Sequence, residues 1–167
     1  VMVEPKTFYP LFAMYSDKWD SVDELPDGAT IGLCNDATNQ ARGLHLLESQ
    51  GLITLDDSVE SPTMYDVKEN PHNFKFLELD AATIPRSLPD VTFAVINANY
   101  AIPAGLNPTK DSIILESADN PFVNIFVTKK TNENDPRIAK LKEIYQSADN
   151  EKFIMEHFQG TILPAWK

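Results

Sequence analysis

Two kinds of apolar run alternate along this chain, and that alternation limits what it can fold into. Ala29-Thr30-Ile31-Gly32-Leu33-Cys34 and Val91-Thr92-Phe93-Ala94-Val95-Ile96 are short and dense in β-branched or apolar residues. Runs of this kind read as strands, and the second as one buried on both faces of a sheet. Between them, Gln40 to Gln50 carries helical spacing and is closed by Gly51 in the position of a left-handed cap. Strand alternating with helix predicts an α/β domain with a largely parallel sheet.

Other segments extend the pattern. Phe8 to Tyr15 reads as extended, interrupted by Pro10. Ser21 and Glu24 suggest a capping box on a short helical turn, followed by the turn Pro26-Asp27-Gly28. Residues 62–69 read as a short helix that stops before Asn70-Pro71. Residues 74–79, 113–115 and 122–128 read as strands, 81–88 as a helix, and Asn97 to Gly105 as a short helix. In the last third, Asp135-Pro136 caps a helix with Ile138, Leu141 and Tyr145 on one face. Glu151 to Phe158, with Ile154 and Phe158 four apart and Gly160 beyond, reads as a second helix. Both apolar stripes need a surface to cover.

Polar residues gather at the ends of the expected strands. Asn35-Asp36-Ala37-Thr38-Asn39-Gln40-Ala41-Arg42 leaves the first, Asn97-Ala98-Asn99-Tyr100 leaves the 91–96 run, and Asn124 sits between Val123 and Ile125. Ligands of open α/β sheets bind outside the carboxyl ends of strands. A helix beginning near Gln40 puts Arg42 in its first turn, where a cation opposes the helix dipole by roughly 0.3–1 kcal/mol. That placement, beside unpaired backbone N–H groups, suggests that an anion binds there.

Composition narrows the anion. Net charge is −11, from 14 basic and 25 acidic residues, which argues against nucleic acid or an anionic membrane as the partner of this surface. The glycines are scattered, with no phosphate-binding loop and no nucleophile elbow. Cys34 is the only cysteine, so no intrachain disulfide can form, and the three histidines are too far apart for zinc-type spacing. Cys34 reads as a buried small residue and His45 as a partly packed surface histidine rather than a base. No acid–base pair is evident, so the expectation is a binding protein, not an enzyme, with no cofactor and no metal.

Five segments taken together resemble one family. They are residues 21–29, 35–42, 79–88 and 94–101, with Pro121-Phe122-Val123-Asn124 as the fifth. In order and spacing they are similar to the NlpA/MetQ lipoprotein family, methionine-binding components of ABC importers. The family has proline where Ala37 stands here. The resemblance implies a type II periplasmic-binding-protein-like α/β fold: two lobes joined by crossover strands, with the ligand between them. It implies a chain that starts near the first crossover, with 1–15 as that segment and 16–120 as a complete second lobe. Residues 121–167 would be the return crossover and C-terminal helices that pack on the first lobe.

By the same resemblance, Arg42 pairs with the ligand carboxylate and Asn39 supports it. Asn97 and Asn124 hold the amino-acid head group, and Tyr100 is a weaker candidate for the cleft. Each residue also has a plainer reading. Asn39 and Asn97 could be helix caps, Tyr100 core, and Arg42 the partner of Asp36 or Glu78. The implied partners are methionine (D or L, or a close analogue) and an ABC permease. The implied location is extracytoplasmic, on an N-terminal lipid anchor outside this chain. The C-terminal helices, lacking their lobe, could pair with a second copy by swapping. A ligand-sensing effector domain, or a binder of another amino acid or peptide, is the competing reading.

Overall fold

The computed structural model describes residues 2–117, 122–158 and 160–166. In chain order the strands are β1 (Met2–Lys6), β2 (Phe8–Pro10), β3 (Phe12–Tyr15), β4 (Thr30–Cys34), β5 (Thr54–Leu55), β6 (Val67–Glu69), β7 (Lys75–Leu79), β8 (Phe93–Asn97), β9 (Ile114–Leu115), β10 (Ile125–Thr128) and β11 (Ile162–Pro164). The α-helices are α1 (Ala37–Ser49), α2 (Ile84–Ser87), α3 (Ala98–Ala101), α4 (Pro136–Tyr145) and α5 (Ala148–Phe158). The chain divides into two compact units, one of residues 12–116 and one of residues 1–11 with 117–167. It passes between them at Leu11/Phe12 and Glu116/Ser117. The boundary expected at 120/121 lies outside the described residues.

The 12–116 unit is built on a five-stranded sheet of order β7-β4-β8-β3-β9. β4 runs parallel to both β7 and β8, with Gly32 opposite Leu77 on one side and Ala94 on the other. β3 is antiparallel to β8 and to β9. The sheet is therefore mixed, and the expectation of a largely parallel sheet is corrected. The antiparallel half comes from β3, which enters from the other unit and so needs no helical crossover to reach its neighbours. β3 and β8 are buried throughout, and β4 is buried beyond Thr30. Phe12, Met14, Tyr15, Ile31, Leu33, Phe93 and Val95 are all fully enclosed.

Helix α1 covers the sheet with Leu44 and Leu47, both fully buried. Gly43 lets it approach closely. A Cβ there would stand 3.1 Å from Leu33 Cδ2 and 3.5 Å from Phe12 Cε1. The expected helix over 62–69 is instead a single 3-10 turn, Met64–Asp66, followed by β6. Thr63 and Asp66 form a complete capping box there, but β6 then pairs with β5, so the chain leaves helical geometry. Ser21 caps its turn by accepting from Asp23 N. Glu24 accepts from Asp20 N instead of closing the expected box.

In the other unit β1 pairs with β10 and β11 with β2, each antiparallel. Asp135 caps α4 by accepting from Arg137 N at 2.9 Å, with Pro136 at the first helical position. Gly160 follows α5 at φ 84°, the left-handed region open to glycine. Ile154 of α5 is buried, whereas Leu141, Ile144, Phe153 and Met155 stay substantially exposed. Among the described residues no helix is long and apolar enough to cross a membrane, and no group of metal-ligating side chains is assembled.

Candidate functional site

The chain leaves β4 towards β7 on one side of it and later returns to β8 on the other. The carboxyl ends of β4 and β8 therefore lie side by side at a topological switch point, where ligands of open α/β sheets bind. The segments 35–42 and 97–100 both start there.

Helix α1 begins at Ala37, three residues earlier than the spacing suggests, and its N-cap is Asp36. The Asp36 carboxylate accepts from Asn39 N at 3.0 Å and from Asn39 Nδ2 at 3.1 and 3.0 Å. Asn39 is thus the third helical residue and does not cap the helix. Its side-chain oxygen accepts from Asn97 Nδ2 at 2.9 Å. Asn97 stands at the N-cap position of α3 but makes no capping bond with its side chain. Instead it is buried, bridging to Asn39 on one side and accepting from the Cys34 thiol at 3.7 Å on the other. The reading of Asn97 as only a cap is thereby corrected.

Arg42 lies in the second turn of α1, so it is not set against the helix dipole in the first turn. It is 4% exposed. Its Nε donates to Glu116 Oε1 at 2.7 Å, and a terminal nitrogen donates to the other Glu116 oxygen. The partner is neither Asp36 nor Glu78. Glu78 instead accepts from Gln40 Nε2 at 2.7 Å, while Gln40 also reaches the Cys34 carbonyl and Met64 N. The Arg42 guanidinium lies over the Phe12 ring, 4.8 Å from its centre. Phe12 is the register partner of Asn97 in the β3–β8 ladder. That places Arg42, Asn39 and Asn97 around one end of the sheet.

Tyr100 is 36% exposed and does not belong to the core, so that reading is corrected. Asn124 lies in the other unit, exposed, immediately before β10. Its backbone is tied to Thr7 and Phe8: the carbonyl accepts from Thr7 N at 2.8 Å and from Thr7 Oγ1 at 2.9 Å. Pro121 of the fifth matching segment lies outside the described residues. Cys34 is buried, and that burial, reinforced by Asp36, pushes its thiol up to about 12. A thiol in that state is no nucleophile at neutral pH. His45 is exposed and meets Glu48 at 3.2 Å.

Glu116 and Phe12 contact Arg42, and Gln40 ties α1 to β7 through Glu78; sequence reasoning singled out none of the three. Glu116 directly follows the apolar run 113–115, an acidic residue at a strand end, but nothing local ties it to Arg42. The arrangement as a whole can hold a small ligand with a carboxylate and a hydrogen-bonding head group.

An α/β lobe whose switch point gathers Arg42, paired with Glu116, and the amides of Asn39 and Asn97 fits a fold of the type II periplasmic-binding-protein kind. The comparisons with known proteins agree. Residues 3–166 match the family described as NlpA lipoprotein, and the chain belongs to that family. It is 44% identical over 159 residues to the probable D-methionine-binding lipoprotein MetQ of Vibrio cholerae, covering 95% of this chain and 59% of that one. Among solved structures, it is similar to a nutrient binding protein from Burkholderia cenocepacia bound to methionine. The TM-score is 0.92 at 40% identity, over 96% of this chain and 68% of that one. A periplasmic substrate-binding protein of an ABC transporter from Coxiella burnetii matches at TM-score 0.93 and 37% identity, over 98% and 69%. The chain spans about three fifths of the length of the curated relatives it matches.

Proposed function

We propose that this chain is part of an extracytoplasmic solute-binding lipoprotein that captures methionine, D or L, or a close analogue, and delivers it to an ABC importer. It is not an enzyme in this reading. Arg42 takes the ligand carboxylate, because a buried guanidinium binds a carboxylate strongly and with fixed geometry. Asn39 and Asn97 present amide oxygens and N–H groups to the head group. Tyr100 is a lesser contact at the rim. The observation that carries the reading is the meeting of Asn39, Asn97 and the Arg42–Phe12 stack at the switch point. The names of the relatives support the ligand class.

Isothermal titration of the full-length protein with a panel of amino acids tests it. Methionine should bind, and Arg42→Ala should abolish binding. Unchanged affinity in Arg42→Ala would remove the site assignment. The 167-residue chain alone should bind weakly or not at all, since the relatives extend well beyond it. Its exposed Leu141, Ile144 and Phe153 should draw it into self-association. Sedimentation showing only monomer at high concentration would contradict that last expectation.

A further inference from the structure

We infer that Asp36 is a positioning residue that fixes the direction of the Asn39–Asn97 amide pair, so that the site selects a ligand with a hydrogen-bond donor on the carbon beside its carboxylate. The inference rests on the function proposed above. A side-chain amide can turn its oxygen or its NH₂ to a given neighbour, and the neighbour's chemistry decides which. A carboxylate only accepts. The Asp36 carboxylate oxygens stand 3.1 and 3.0 Å from the Asn39 side-chain nitrogen. The NH₂ of Asn39 therefore faces Asp36, and its oxygen faces Asn97. Asp36 also accepts from Asn39 N at 3.0 Å, which ties the two residues through the backbone as well.

The direction passes along the chain of bonds. Facing an oxygen, Asn97 presents its own NH₂ and donates to Asn39 at 2.9 Å. Its oxygen is then left to Cys34, whose buried thiol donates at 3.7 Å. Asn97 is 8% exposed and makes no capping bond to α3, so its amide is committed to this pair. An amide oxygen has two lone pairs and an amide nitrogen two protons. Beyond the bond that joins them, Asn39 thus keeps acceptor capacity and Asn97 keeps a proton to donate. An α-amino acid matches that order, with its ammonium on the Asn39 oxygen and a carboxylate oxygen on the Asn97 N–H. An α-keto acid sets a carbonyl against the Asn39 oxygen, where neither group can donate.

The test is displacement of bound methionine from the full-length protein by its α-hydroxy and α-keto analogues. Both analogues are monoanions of the same length, and only the hydroxy acid carries a donor, so a general charge effect moves them equally. Wild type should favour the hydroxy acid by about tenfold. Equal displacement by the two, or displacement by neither, would overturn the inference. Asp36→Asn keeps the helix cap, since asparagine caps as well as aspartate. It also offers an NH₂ to Asn39, which lets the amide pair reverse, and the preference should shrink about tenfold. The exchange variant Asp36→Asn with Asn39→Asp turns an acceptor to Asn97 again and should restore the preference. An Asp36 that serves only as a cap would leave the preference unmoved in Asp36→Asn, which would overturn its positioning role. A preference lost in Asp36→Asn and not restored by the exchange would overturn it too. Methionine binding lost in Asn39→Ala, with an unmoved preference in Asp36→Asn, would leave the site standing without this role for Asp36. Unchanged methionine binding in Asn39→Ala would bring down the reading of Asn39 as a ligand contact and this inference together. If Asp36→Asn does not fold, the exchange variant decides: a preference equal to wild type supports the inference, and a lost one overturns it.

Discussion

The side-chain amide of Asn97 donates to the side-chain oxygen of Asn39 at 2.9 Å, joining the end of β8 to the first turn of α1 across the sheet's switch point. Asn97 is buried, so this bond forms away from bulk water. Its removal should cost about 1 kcal/mol. Asn97→Ala should show that loss in urea unfolding. Asn97→Asp should cost more, because a carboxylate facing the Asn39 oxygen cannot donate. Equal stability of wild type and Asn97→Asp would show that the bond contributes nothing.

The Arg42–Glu116 pair makes a second prediction. Each single substitution removes one side of an ion pair held in a largely enclosed place. Arg42→Met and Glu116→Leu should each destabilise by about 3 kcal/mol, and the double variant by much less than their sum. A double-mutant cycle read by denaturant unfolding checks this. Simple additivity would mean that the two side chains are not energetically coupled.

Gly43 sits next to Arg42 on the face of α1 that presses on the sheet. A β-branched residue there meets Leu33, Phe12 and Val95 together. Gly43→Val should therefore destabilise by about 1–3 kcal/mol through overpacking. It should also weaken ligand binding in the full-length protein, because Phe12 supports Arg42. Near-neutral stability would show that α1 has room to move outward.

The Cys34 thiol gives a pH prediction with a definite sign. Its folded value, about 12, lies above the ordinary 9.0. The native state thus holds the proton longer than the unfolded chain. This contribution is complete below pH 9.0 and is lost as pH rises towards about 12. Melting temperatures across that range should fall more steeply for wild type than for Cys34→Ala. Parallel curves would refute the assignment. A thiol reagent at pH 8 should leave the native protein untouched and label it in urea.

Much of the fold was legible because it rests on local rules. β4, β7 and β8 follow from dense apolar runs, and α4 from Asp135-Pro136. The start of α1 was misread for a local reason too. Asn35, Asp36, Thr38 and Asn39 are all competent caps, and only the bond from Asn39 N to Asp36 shows which one acts. That shift of three residues moved Arg42 out of the first turn and removed the dipole argument for an anion. The 62–69 segment failed differently. Its capping box is real, but pairing of Val67 with Leu55 overrode the helix.

The sequence by itself determined the α/β class, the switch-point polar residues and, through its motifs, the family. Periodicity and capping act over a few residues, so they can be read along the chain. Only the tertiary structure decided the direction of β3, the inward turn of Asn97 and the partner of Arg42. Glu116 lies 74 residues from Arg42, and the two meet because β9 and β3 lie side by side in the sheet. Two candidate carboxylates lay nearer in sequence, at Asp36 and Glu78, and each had already been claimed, one by the Asn39 amide and the other by Gln40.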